Sequence, residues 1–276
     1  MLKGWKALMD KTRVRASVLT AVTLTALFAA AALDAQRTEE PASMPETKAP
    51  PAMPTHPNSA YWIEHDKQLA VDFGGLERYK EADVRLGAPA AGEDRVVFMG
   101  DSITDAWKLE QSFPGKPYVN RGISGQTTPQ MLVRFRQDVI DLKPKAVIIL
   151  AGTNDIAGNT GPMTLEETEN NIASMADLAT ANGIGVVICS VLPAYDYSWA
   201  PGLEPAAKIA EVNEWLKKYT AEKGYVYVDY YSAMKDARGG LPPNLSHDGV
   251  HPLPAGYAVM APLAEAGIEK ALKMAR

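Results

Sequence analysis

The chain has 276 residues, 46% of them hydrophobic and 22% charged, and a formal net charge of −5. Residues 1–35 hold five basic and two acidic groups, so the remainder carries −8, without the basic footprint that nucleic-acid binding requires. The single cysteine, Cys189, excludes an intramolecular disulfide, and the little over two hundred residues from Tyr61 onward suffice for one domain with a sizeable core.

Lys3, Lys6, Lys11, Arg13 and Arg15 precede an apolar run from Ala16 to Leu33 that ends in small residues. Residues 1–33 therefore read as an export signal, cut near Ala30-Ala31-Ala32 or Ala35, or as an uncleaved membrane anchor. The expected destination is periplasmic or extracellular. No cysteine lies near the end of this run, which argues against a lipid anchor. Residues 34–58, with Pro41, Pro45, Pro50, Pro51, Pro54 and Pro57, read as a Pro-rich linker, serving either as a tether off a surface or as baggage of export.

The folded domain is expected over 59–276, with 59–90 as an N-terminal helical extension. Trp62, Ile63, Leu69, Phe73, Leu76 and Tyr79 form a rough apolar stripe along 61–85, suited to packing on the domain or to binding a partner helix. Strand-like apolar runs follow near 95–99, 117–121, 146–151, 184–190 and 225–229. Helical patterns fill 128–142, 165–182 and 205–223, and a last helix starts near Pro254 and runs towards Ala275. This alternation predicts an α/β fold, a three-layer α/β/α sandwich with a five-stranded parallel sheet. Cys189, inside the run 184–190, reads as a small apolar core residue.

Gly100-Asp101-Ser102 follows the first core strand and precedes an amphipathic stretch, which places Ser102 at an exposed strand-to-helix turn. A serine hydroxyl needs an imidazole within reach to take its proton during attack. Of the four histidines, His56 lies in the proline-rich tract and His65 in the extension, leaving His247 and His251. His251 is the better base, because Asp248 three residues earlier can turn back within one loop and accept its Nδ1 proton. Each motif alone is also an ordinary turn sequence, so the argument rests on their conjunction. Between them, Val119–Thr128 brings Gly122 and Gly125 to a strand end, and Gly152-Thr153-Asn154-Asp155 projects the Asn154 amide from another. His247, Asp248 and His251 have no further histidine cluster to complete a metal site, so no metal or other cofactor is expected.

From about Arg95 to its C-terminus the chain resembles the SGNH, or GDSL-type, hydrolase family. The family's four blocks occur in order as Gly100-Asp101-Ser102-Ile103, the glycine block ending at Gly125, Gly152-Thr153-Asn154-Asp155, and Asp248-Gly249-Val250-His251, with Ile103 standing where the family name has leucine. The resemblance implies Ser102 as nucleophile, His251 as base and Asp248 as its orienter. It also implies an oxyanion hole from the Ser102 and Gly125 backbone N–H groups and the Asn154 side chain, and flavodoxin-like strand order; Gly122 is the rival to Gly125 and is read as a structural turn. The loop Leu192–Gly202 carries Tyr195, Tyr197 and Trp199, either as an aromatic substrate-binding wall or as packing for the loop itself. These features lead to an expected exported serine esterase acting on short-chain, plausibly acetyl, esters of carbohydrates or related small molecules. Alternatives are a lysophospholipase or thioesterase, a glycan O-acyltransferase and a non-catalytic glycan-binding module.

Overall fold

A computed structural model of the protein describes residues 60–274, so the expected signal or anchor (1–33) and linker (34–58) lie outside the described residues. The elements begin with α1 (Ala60–Val71), α2 (Glu77–Leu86), β1 (Val96–Gly100), α3 (Ser102–Asp105), α4 (Leu109–Ser112), β2 (Tyr118–Gly122) and α5 (Thr128–Asp138). They continue with β3 (Ala146–Leu150), α6 (Thr153–Ala157), α7 (Leu165–Ala181), β4 (Gly185–Cys189), α8 (Ala206–Lys223), β5 (Val226–Val228), α9 (Tyr230–Met234) and α10 (Pro254–Met274).

The five strands form one sheet in the order β2-β1-β3-β4-β5, every pairing parallel. The register sets Gly100 against Gly122 on one side and Leu150 on the other, so three strands end level. Strand side chains alternate between two cores, as the period of a strand requires. Val97, Met99, Val147, Ile149, Val186 and Ile188 meet Met131 and Phe135 of α5, Ile172 and Met175 of α7, and Ile209 and Leu216 of α8. Val96, Phe98, Ala146, Ile148, Val187 and Cys189 meet Met260, Ala264 and Ile268 of α10 together with Ile103, Leu109 and Met234. Helices thus cover both faces, giving the three-layer α/β/α sandwich with flavodoxin-like order. Cys189 is buried in the second core, and that burial pushes its thiol up to about 12.

Two sequence expectations change. The helical stretch expected over 61–85 is two helices, because Gly74-Gly75 breaks it and the Asp72 carboxylate accepts the backbone N–H groups of Leu76 and Glu77 at 2.9 and 3.0 Å. Its apolar stripe is only partly used: Trp62 and Tyr79 are buried, whereas Ile63, Phe73 and Leu76 remain exposed. Gly122 is not a turn residue but the last residue of β2. A β-carbon there would collide with the backbone nitrogen of Asp105, so glycine lets α3 lie against the strand end.

Candidate active site

Every group named as a site candidate from sequence stands beyond the carboxyl ends of the strands. β1 leads to Ser102, β2 to Gly125, β3 to Asn154, and β5 with α9 to the loop holding Asp248 and His251. In a sheet of this order the strands either side of the β1/β3 boundary send their connections in opposite directions, which opens a crevice there. Ser102 and Asn154 flank it.

Asp101 caps α3, its carboxylate accepting the Ile103 N–H at 3.0 Å, and so starts the helix on which Ser102 is the first residue. Burial pushes Asp101 up to about 7, against the lowering effect of the Ile103 N–H and the nearby His251. Ser102 Oγ lies 2.8 Å from His251 Nε2, across 149 residues of sequence. His251 Nδ1 lies 2.6 Å from Asp248 Oδ2. Asp248 Oδ1 accepts from Ser246 Oγ at 3.0 Å, Val250 N at 3.0 Å and His251 N at 2.8 Å, which locks the loop around the carboxylate. Burial acts to raise Asp248, but the bonds from the His251 ring and the His251 and Val250 backbones outweigh it and hold the carboxyl at about 2. A permanent carboxylate at Nδ1 keeps the proton on that nitrogen and leaves Nε2 free to accept from Ser102. His247 is exposed beside this loop.

Gly125 has φ +81°, a conformation glycine adopts without steric cost, and this turns the β2–α5 loop towards Ser102. Asn154, 3% exposed, donates from Nδ2 to the Gln126 carbonyl at 2.9 Å and accepts at Oδ1 from Asn159 Nδ2 at 3.0 Å. Asn159 Nδ2 also donates to the Gly125 carbonyl at 3.1 Å. One buried amide therefore ties the two loops together. Beneath them Asp155 accepts the Thr128 N–H at 3.1 Å and the Thr128 hydroxyl, joining the start of α5 to α6. Arg134, fully buried, pairs with Asp138 at 2.9 Å and donates to the Gly100 and Arg121 carbonyls at 3.0 and 2.8 Å and to Gln126 Oε1 at 2.6 Å. It braces the ends of β1 and β2 under the Ser102 turn.

Trp62, Ser102, Ala106, Ser124, Gly125, Asn154, Asn159, Trp199 and His251 line one cavity of about 440 Å³. A groove of about 800 Å³ at the amino ends of the strands is larger but is lined by neither serine nor histidine. Of the three aromatics expected as a substrate wall, only Trp199 lines the cavity. Its ring centroid is 6.1 Å from that of His251, and its Nε1 donates to Asn159 Oδ1 at 3.1 Å. Tyr197 is fully buried behind it, stacked at 4.9 Å and bonded through its hydroxyl to Thr153 Oγ1 at 3.0 Å. Tyr195 is half exposed and packs under the Arg238 guanidinium, away from the cavity. The reason is local: the Asp196 carboxylate gathers the N–H groups of Tyr197 and Gly202, curling the loop so that successive aromatics point in different directions. Tyr197 therefore packs the loop, and of the three rings Trp199 alone is placed on the cavity wall.

Sequence reasoning missed Trp62, Asn159 and Ser124 as lining residues. Asn159 lies five residues beyond Asn154 with no motif to mark it. Trp62 was visible only as one member of an apolar stripe.

Residues 98–259 match the family model of the GDSL-like lipase/acylhydrolase family. A GDSL-like lipase from Bacteroides thetaiotaomicron VPI-5482 superposes with a TM-score of 0.70 at 43% identity, covering 72% of this chain and 99% of that one. An acetylxylan esterase of Geobacillus stearothermophilus is 26% identical over 201 residues, 61% of this chain and 90% of the relative. An uncharacterized lipoprotein of Bacillus subtilis (strain 168) is 29% identical over 129 residues, 40% of this chain and 53% of the relative. With the family's match covering more than half of its length, the chain belongs to the GDSL-like lipase/acylhydrolase, or SGNH, family and is a carboxylic ester hydrolase.

Proposed function

We propose that this esterase is exported and removes short acyl groups, chiefly acetyl, from carbohydrates, with Ser102 as nucleophile, His251 as base and Asp248 as its orienter. The observation that carries the proposal is the run of short contacts from Asp248 through His251 to Ser102, opening on a cavity that Gly125 and Asn154 also line. The likeness to an acetylxylan esterase supports an acetylated sugar as substrate. Trp199 supports it too, since a partly buried indole on the cavity wall suits the apolar face of a pyranose ring. The basic cluster and apolar run of residues 1–33 support export, as does the likeness to a lipoprotein.

Ser102 Oγ attacks the ester carbonyl carbon while His251 Nε2 takes the hydroxyl proton. Negative charge moves to the carbonyl oxygen, where the backbone N–H groups of Ser102 and Gly125 and the Asn154 amide receive it. Asp248 stabilises the imidazolium formed in this step. Collapse of the tetrahedral intermediate breaks the bond to the sugar oxygen, which takes the proton from His251 and leaves as alcohol. Water then attacks the acyl-Ser102, giving its proton to His251. Ser102 recovers that proton as acetic acid departs, and the acid then loses its own proton to solvent.

A serine-directed aryl phosphonate should give one adduct, located at Ser102 by peptide mass, and should stop acetate release from acetylated xylooligosaccharides. An unlabelled Ser102 in a protein that still releases acetate would overturn the assignment. Faster turnover of long-chain lysophospholipids than of acetylated sugars would overturn the substrate class.

A further inference from the structure

Trp62 is a buried tryptophan, 7% exposed, in the helix that opens the described chain. Its ring stands edge-on to His65, centroids 5.0 Å apart, and the residue lines the ester cavity. It comes from α1, ahead of the residues 98–259 that carry the family match.

The helix pair bearing it is fastened to one side of the site. Gln130 Nε2 donates to the Phe73 carbonyl at 2.8 Å, Gln126 Nε2 to that of Gly74 at 2.9 Å and Gln137 Nε2 to that of Leu76 at 2.7 Å. All three glutamines belong to the β2–α5 loop or α5, so α1 reaches the cavity from the β2 edge of the sheet. Trp199 arrives from the β4–α8 loop, on the opposite side of β1, and packs near the His251 ring.

Ester cleavage gives these two ends different meanings. The departing oxygen must lie within reach of His251 Nε2 to be protonated, so the leaving group extends along the Trp199 end. The acyl substituent occupies the remaining direction, towards Ala106, Ser124 and Trp62. We propose that Trp62 closes the acyl end of the cavity and limits the acyl group to a short chain, while Trp199 serves the leaving group. The inference rests on Ser102 and His251 acting as proposed above. It assigns a specificity-determining role to a residue outside the catalytic blocks.

The test uses the full chain and its Trp62→Ala and Trp62→Phe variants, with kcat/KM measured in two series. One series holds the p-nitrophenyl leaving group constant and varies the acyl group through acetate, butyrate and hexanoate. The other holds acetyl constant and compares p-nitrophenyl acetate with acetylated xylooligosaccharide. Each methylene newly admitted to an apolar pocket contributes roughly fourfold in kcat/KM. Trp62→Ala should therefore raise the butyrate-to-acetate ratio about fifteenfold, with Trp62→Phe in between, and should leave the sugar-to-aryl ratio within about twofold of wild type. An acyl-length profile matching that of wild type, or a change confined to the sugar-to-aryl ratio, would overturn the inference. Should circular dichroism show that Trp62→Ala does not fold, the Phe variant decides on the same ratios. A wild-type protein that cleaves none of these esters would instead defeat the serine-esterase reading, and this inference with it.

Discussion

Asn154→Ala probes the electrostatics of the site most directly. The Asn154 amide is held on both sides, giving one N–H to the Gln126 carbonyl and accepting from Asn159, and the proposed oxyanion role falls to its second N–H. Removing one such prepositioned donor costs on the order of 10²–10³ in turnover, or about 2.7–4 kcal/mol. The substitution also deprives the Gln126 carbonyl and the Asn159 amide of partners, a loss of about 1–3 kcal/mol for buried groups. The stability loss should fall near the lower limit, because Asn159 Nδ2 keeps its bond to the Gly125 carbonyl. At about 2–4 °C per kcal/mol for a domain of this size, Tm should drop by a few degrees only. Steady-state kinetics on p-nitrophenyl acetate should show the loss in kcat, with KM little changed, since the donor acts on charge that develops only in the transition state. Asn159→Ala, which removes the group orienting Asn154 but not the donor, should cost less. A kcat within tenfold of wild type for folded Asn154→Ala would refute the reasoning.

Ser102→Ala and His251→Ala should each abolish most of the turnover, and the double variant should be no slower than the worse single one, because the two act as a unit; losses that multiply would separate their roles. Burial raises Asp101 from 3.8 to about 7 in the folded protein, so its contribution to stability is fully present below the unfolded value and is lost as pH rises through about 7. Thermal melts of Asp101→Asn should accordingly lose less stability than wild type between pH 4 and 7, and parallel curves would contradict this. Gly122→Ala should destabilise the fold by about 1–3 kcal/mol, since its β-carbon would meet the Asp105 backbone rather than a movable side chain. Denaturant titration reads this, and an unchanged midpoint would show that α3 can shift at no cost.

The strands and the catalytic blocks were legible in the sequence because each is a local signal. Five apolar runs of strand length alternate with amphipathic stretches, and each block is a short motif placed directly after a strand or within one loop. Asp248 and His251 could be paired from spacing alone, since their partnership closes within three residues. Arg134 and Asp138 were not legible, because an arginine and an aspartate four apart on a helix look like a surface pair. They are buried only because the β1 and β2 ends and the Gln126 loop fold over them. The three glutamines that fasten the Phe73–Leu76 turn were hidden for the same reason: their acceptors are backbone carbonyls 52 to 61 residues away. Tyr195, Tyr197 and Trp199 looked equivalent in sequence, and only the carboxylate of Asp196, by curling the chain, distinguishes them.

The contact between Ser102 and His251 also bears on how the molecule comes into being. The hydroxyl follows the first strand, whereas its imidazole partner lies after the last, 149 residues downstream. A growing polypeptide thus cannot bring this hydroxyl and imidazole together until residue 251 has been joined. The order of synthesis itself delays assembly of the pair, so a chain terminated before residue 251 lacks it however much of the sheet has formed.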